Sequence, residues 1–149
     1  MINDRSFLAR QPLAVFGVSA TGRGFGANAF RELNKLGIKA YALNPKGGSI
    51  YGQTIYSSLK DLPEPVHAAV ILTKGHGAVC AVEEWSRQSL ECVWLQGGSD
   101  TPEIQKLCSG LGLKVVHGSC ILMRHGKFPH SLHRFFHDLF KKSESTHAL

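Results

Sequence analysis

Gly17, Gly22, Gly24 and Gly26 follow directly on the apolar run Leu13-Ala-Val-Phe16 and lead into a segment with helical spacing of apolar residues. A buried strand that turns through glycines into a helix N-terminus is a general way of holding phosphate, because backbone N–H groups and the positive helix end both face the anion. The first chemistry this chain suggests is the binding of a phosphate-bearing cofactor.

The spacing narrows the choice. Gly17, Gly22, Gly24 and Gly26 do not form GxGxxG, and the run from Gly17 departs from the P-loop twice. Arg23 stands where that loop needs lysine, and Gly24 where a hydroxyl would hold Mg²⁺. Hydrolysis of a nucleoside triphosphate is not supported. A site for NAD would place an acid at the end of the second strand, about 20 residues beyond the glycines, to bind the ribose 2′-hydroxyl. Here the expected second strand, Lys39 to Leu43, runs into Asn44-Pro45-Lys46. A cation there suits a ribose that carries its own phosphate, as in coenzyme A (CoA) or NADP. Asn-Pro-Lys-Gly-Gly would serve equally well as a plain turn, and both readings stand at this point.

The elements that must position these residues alternate along the chain. Ala27 to Leu36 carries Phe30, Leu33 and Leu36 at helical spacing, with Gly37 where a C-terminal cap glycine belongs. Ile55 to Leu62 reads as a short helical or irregular piece ended by Pro63 and Pro65, and Ala68 to Leu72 as the third strand. Gly77 to Ser89 predicts a helix burying Val79, Val82 and Trp85, followed by a fourth strand at Cys92 to Leu95. Thr101-Pro102-Glu103 opens another helix, to about Leu111, and Lys114 to Val116 is the fifth strand. Strands this apolar, separated by helices, predict a Rossmann-like doubly wound α/β fold. Its five-stranded parallel sheet takes the order 3-2-1-4-5, with helices on both faces.

Length and composition bound the rest. At 149 residues the chain is expected to form one domain, with no apolar run of membrane-spanning length and no signal-peptide core at its start, which predicts a cytoplasmic protein. Cys80, Cys92, Cys108 and Cys120 are too widely spaced for a zinc pair or a disulfide framework and are read as reduced thiols. A net charge of +6, without a basic stripe interleaved with aromatics, fits small anionic molecules better than nucleic acid.

Ligands of such sheets bind beyond the carboxyl ends of the strands. That edge comprises the loops Ser19 to Gly26, Asn44 to Gly48, Thr73 to Gly77, Gln96 to Asp100 and Gly118 to Met123. Several short runs occur in order. They are Val-Phe-Gly-Val-Ser, Phe25-Gly26-x-x-x-Phe30-Arg31-Glu32-Leu33, Leu43-Asn44-Pro45-Lys46, Gly52, Tyr56-x-Ser58-Leu59, Leu62-Pro63, Val93-Trp94-Leu95-Gln96-x-Gly98 and Cys120-Ile121-Leu122-Met123. Together they resemble the small bacterial CoA-binding proteins, single Rossmann-like domains similar to the N-terminal domain of the succinyl-CoA synthetase α subunit. The resemblance runs from about Leu13 to Met123.

The resemblance implies a role for each loop. Gly17, Ser19, Arg23 and Gly26 would surround the pyrophosphate, and Asn44, Pro45 and Lys46 the adenosine 3′-phosphate. Thr73, Lys74, Gln96 and Gly97 would flank the nucleotide and the pantetheine. Many relatives carry proline in the third loop, where this chain reads Thr73-Lys74-Gly75-His76-Gly77.

Two further features invite a sharper reading. Cys120, near where a pantetheine thiol would arrive, is either a thiol-exchange group or a small buried residue. His130, His133 and His137 share one face of an amphipathic helix expected at about 129–141. They read as a solvated face in preference to a metal site, and the opposite apolar face must pack on its own sheet or on a second copy in a homodimer. With no Ser-His-acid order, paired carboxylates or HExxH motif, the chain is expected to bind CoA or acyl-CoA without catalysis. The alternatives are an NADP-binding reductase, and a subunit of an acyl-CoA-handling enzyme with that enzyme as its partner.

Overall fold

The computed structural model describes residues 4–89 and 91–117. The expected loop 118–123 with Cys120, and the expected helix 129–141 with its histidines, lie outside the described residues.

The elements follow in the order α1 (Asp4–Leu8), β1 (Leu13–Phe16), α2 (Gly24–Lys35), β2 (Ala40–Leu43), β3 (Ser49–Ile50), β4 (Gln53–Tyr56), β5 (Ala68–Ile71), α3 (Gly75–Gln88), β6 (Cys92–Leu95), α4 (Pro102–Gly110) and β7 (Lys114–Val116). Short 3₁₀ turns stand at Leu59–Asp61 and Gly97–Ser99. One seven-stranded sheet has the order β3-β4-β2-β1-β5-β6-β7. All its pairings are parallel except the β3–β4 hairpin.

The five strands expected from sequence all form and run parallel, but their number and order need correction. Ile55 and Tyr56, expected to open a helical or irregular piece, instead end a strand, Gln53–Tyr56, beside β2, and Ala68–Ile71 pairs with β1 and not with β2. The reason lies in burial. Along β4 the first two residues are exposed and Ile55 is buried, the half-solvated pattern of a strand near a sheet edge, which a search for continuous apolar runs passes over. The run Ala-Ala-Val-Ile of β5 is buried on both faces and belongs in the interior. With β4 counted third, the parallel strands stand in the order 3-2-1-4-5-6.

Side-chain alternation assigns the two layers. Leu13, Val15, Ala40, Ala42, Val70 and Trp94 pack against Phe7 of α1 and Ala27, Phe30 and Leu33 of α2. The intervening Ala14, Phe16, Leu43, Ile71, Val93 and Leu95 pack against Ala78, Val82 and Trp85 of α3 and Ile104 and Cys108 of α4. Phe7 meets Trp94 edge-on at 5.2 Å, and each such buried aromatic contributes about 1.5–3 kcal/mol by leaving water. Because crossovers are right-handed, α2 and α3 lie on opposite faces only if the chain reverses its direction of travel across the sheet between β1 and β5. A crevice at that reversal, at the carboxyl ends of β1 and β5, is where open α/β sheets take ligands. At the opposite end of β2, Glu64 accepts from Lys39 and from the Tyr41 hydroxyl. The Lys39 contact holds its carboxyl below the usual range, and Glu64 in turn raises both Lys39 and Tyr41.

Candidate functional site

The loops after β1, β2, β5 and β6 meet at the carboxyl edge of the sheet, and four contacts join them in a row. Gly17 leaves β1 with φ +103° and its N–H donates to Leu43 O at 2.9 Å, which ties the first loop to the end of β2. A methyl group on Gly17 would fall 2.8 Å from Thr73 Cγ2, so the first loop also lies flush on the β5 loop. Gly48 presses on Ala20 in the same way, and Gly98 lies under the methylene chain of Lys74, whose Cβ would be 2.6 Å from an added methyl. Gly17 and Thr73 stand at the reversal between β1 and β5.

Each loop holds its own shape. Ser19 Oγ and Thr21 Oγ1 are 2.9 Å apart, Gly22 N–H donates to Ser19 O, and Arg23 N–H donates to Thr21 Oγ1 at 3.2 Å. Gly26 enters α2 buried against the Gly17 carbonyl. After β2, Asn44 Oδ1 accepts from Lys46 N–H at 3.0 Å and Asn44 O from Gly47 N–H, while Pro45 and Lys46 are exposed. After β6, Gln96 is 2% exposed and its side chain accepts from Ser99 N–H, while Gln96 N–H donates to Ser99 Oγ at 2.9 Å. The Ser99 hydroxyl, wholly buried, donates to Ile71 O at 2.6 Å and so fastens this turn to the end of β5.

Thus Gly17, Ser19, Arg23, Gly26, Asn44, Pro45, Lys46, Thr73, Lys74, Gln96 and Gly97 all lie on the one edge where sequence placed them. Gln96 is turned inward and shapes its loop. Thr21, Gly48 and Ser99 were missed. A serine three residues after Gln96 is a capping-box spacing that points to Ser99, and a hydroxyl two residues before Arg23 points to Thr21.

The electrostatics of the edge follow from the helix starts. Residues that open helices are usually Ser, Thr, Asp or Asn. Here α2 is opened by Arg23 and α3 by Lys74; neither has a side-chain cap, and neither has an acid in its first turn. In contrast, α4 is opened by Thr101, whose Oγ1 accepts from Ile104 N–H at 3.3 Å, and carries Glu103 in its first turn. A cation at a positive helix end costs stability unless an anion joins it. Two such ends, together with the exposed Lys46 on the loop after β2, give this edge of the sheet positive charge. Thr73 Oγ1 is buried there with no hydrogen-bond partner among the described residues. No group of three metal-ligating side chains occurs among the described residues, and none of their helices is long and apolar enough to cross a membrane.

Comparisons with known proteins agree with this geometry. A family model described as a CoA binding domain matches residues 11–126. The chain is 27% identical over 121 residues to an ADP-forming acetate–CoA ligase of Archaeoglobus fulgidus, a match covering 74% of this chain and 18% of the ligase. A Thermus thermophilus protein designated cell-free ID.343 has a similar structure, with TM-score 0.70 and 27% identity over 83% of this chain and 97% of its own. A dinucleotide-forming acetyl-coenzyme A synthetase of Ca. Korarchaeum cryptofilum shares the fold at TM-score 0.60 and 21% identity, over 72% of this chain and 26% of its own.

Proposed function

This chain belongs to the CoA binding domain family, and we propose that it binds CoA or acyl-CoA at the edge formed by the β1, β2, β5 and β6 loops. The observation that carries the reading is the pair of cation-opened helices without acids. Arg23 and the start of α2 suit the diphosphate, and Lys46 suits the 3′-phosphate. Thr73, Lys74 and Gly97 flank the adenosine and the pantetheine, with Gln96 supporting the loop from within.

The ligase it matches is several times longer than this chain, and only binding is carried across. The reading carries binding without turnover: among the described residues the strand-end loops present cations, glycines and hydroxyls, and the thiol of Cys80, 3.4 Å from His76 Nε2, stands in the second turn of α3. Ground-state contacts of that kind give affinity without turnover. A reductase using NADP is not favoured: the matched family binds CoA, and no acid or GxGxxG frames the first loop. We place the protein in the cytoplasm, in keeping with the free thiols of Cys80, Cys92 and Cys108.

Equilibrium titration of the purified chain with CoA, dephospho-CoA, acetyl-CoA, NADP and ATP tests the reading. CoA and acetyl-CoA should bind with similar Kd, dephospho-CoA more weakly, and NADP and ATP weakest. Preference for NADP or ATP over CoA would overturn it. Incubation with acetyl-CoA, with and without ATP and Mg²⁺, should release thiol no faster than buffer does.

A further inference from the structure

We infer that Cys80, with His76 as its base, is a site of thiol–disulfide exchange at which the protein takes CoA from CoA disulfide and holds it as a mixed disulfide. The inference rests on the CoA reading and goes past it, since binding alone requires neither residue.

Cys80 Sγ and His76 Nε2 lie 3.4 Å apart, one helical turn from each other, and both residues are exposed. They share the outer face of α3, whose inner face buries Ala78, Ala81, Val82 and Trp85. The sulfur is therefore not a packing group, which is the usual role of a free cysteine. Cys92 and Cys108 do fill that role: both are buried in the core, and burial raises their thiols away from the ionised form that reacts. Side chains of a helix lean toward its N-terminus, so Cys80 reaches back over positions 76 and 77. Position 77 is a glycine, which leaves the thiol uncovered on that side. The same direction leads to Lys74, six residues and about 9 Å down the helix axis, where the proposed site flanks the pantetheine.

In the exchange His76 Nε2 takes the thiol proton as Cys80 Sγ attacks one sulfur of CoA disulfide. The bond between Cys80 and that CoA sulfur forms as the S–S bond of CoA disulfide breaks, and the second CoA leaves as a thiolate that recovers the proton. The Cys80 sulfur is oxidised and the departing CoA sulfur reduced, so the step balances with CoA disulfide as its oxidant. Acyl-CoA has no S–S bond and forms no such adduct.

The test incubates the reduced, purified chain with CoA disulfide and with glutathione disulfide at equal concentration, followed by intact mass and by peptide mapping of Cys80, Cys92, Cys108 and Cys120. CoA disulfide should add one CoA per chain, at Cys80, about tenfold faster than glutathione disulfide adds glutathione, because binding at the edge raises the local concentration of the reacting sulfur. Excess acetyl-CoA should slow the first reaction and not the second, and dithiothreitol should remove the adduct. Cys80→Ser should form no adduct while still titrating with CoA. His76→Ala should slow the reaction about 100-fold, the lower end of what a positioned base supplies, and added imidazole should restore part of the rate. Equal rates for the two disulfides, an adduct confined to another cysteine, or a His76→Ala chain that reacts as fast as the wild type would each overturn the inference and leave CoA binding standing. Failure of the wild type to bind CoA in the equilibrium titration would overturn the CoA reading, and this inference with it.

Discussion

The α-carbon of Gly26 lies against the carbonyl of Gly17, so closely that a methyl group built on Gly26 would stand 1.9 Å from that oxygen and 2.8 Å from its carbon. The first turn of α2 is thereby pressed onto the end of β1, and the strand-turn-helix unit closes tightly enough to bring the helix start to the crevice. Gly26→Ala should cost about 3 kcal/mol or more, even though alanine is the better helix former, because backbone and not a flexible side chain must move. Gly24→Ala is the control. With φ +87° and open space around it, it should lose only about 1–2 kcal/mol from its left-handed backbone. Urea denaturation of both variants separates the two costs.

Lys46 follows Asn44, whose side chain already satisfies the Lys46 N–H, so the turn holds its shape without the lysine side chain. Lys46→Ala should therefore leave stability unchanged and weaken CoA by about 1–3 kcal/mol, the worth of a charge-assisted contact. Dephospho-CoA, which lacks the 3′-phosphate, should bind wild type and variant alike. Calorimetric titration of both ligands checks this, and equal weakening of the two would move Lys46 away from that phosphate.

The parts of this fold that could be read from sequence are those in which residue type and burial coincide. Leu13–Phe16, Ala68–Ile71 and Cys92–Leu95 are buried throughout and were found as apolar runs, and the Thr101-Pro102 start and the Gly37 end of α2 obey capping chemistry that acts within a few residues. The β4 strand escaped because Gln53 and Thr54 face solvent, and its absence displaced β5 in the expected order. The candidate site residues reach the carboxyl edge because their loops follow strands that could be read as apolar runs. Contacts that pair Gly17 with Thr73, Gly48 with Ala20 and Gly98 with Lys74 could not be read so, since each joins loops distant in sequence and depends on strand order.

Ser99 joins the ends of β5 and β6 through one hydroxyl, donating to Ile71 O and accepting from Gln96 N–H. Removing it leaves Ile71 O and Gln96 N–H only their own long contact of 3.4 Å, so Ser99→Ala should lose about 1–3 kcal/mol of stability. It should also release the Gly97–Gly98 turn on which Lys74 rests. Chemical denaturation should show the loss, and amide exchange should quicken at Ile71, Gln96 and Gly98 before it does in β1. Uniform protection across the sheet would show that the hydroxyl is not what holds this turn.

Cys108 is wholly buried on α4, and that burial pushes its thiol from near 9 up to about 11. In the unfolded chain the thiol titrates near its ordinary value, so between about pH 9 and 11 the folded state binds more protons than the unfolded one, and stability falls as pH rises through this window. Below pH 9 the thiol is protonated in both states and contributes no slope. The full effect is about 2–3 kcal/mol by pH 11. Burial raises Cys92 in the same direction, and the Glu64 hydrogen bond raises Tyr41, so the Cys108 share must be taken by difference. Urea midpoints measured from pH 7.5 to 11 should decline less steeply in Cys108→Ala than in the wild type, although the variant starts lower because it loses a packed sulfur. Parallel curves for the two proteins would mean that the thiol titrates in the folded state as it does in the unfolded one, and that α4 opens before it ionises.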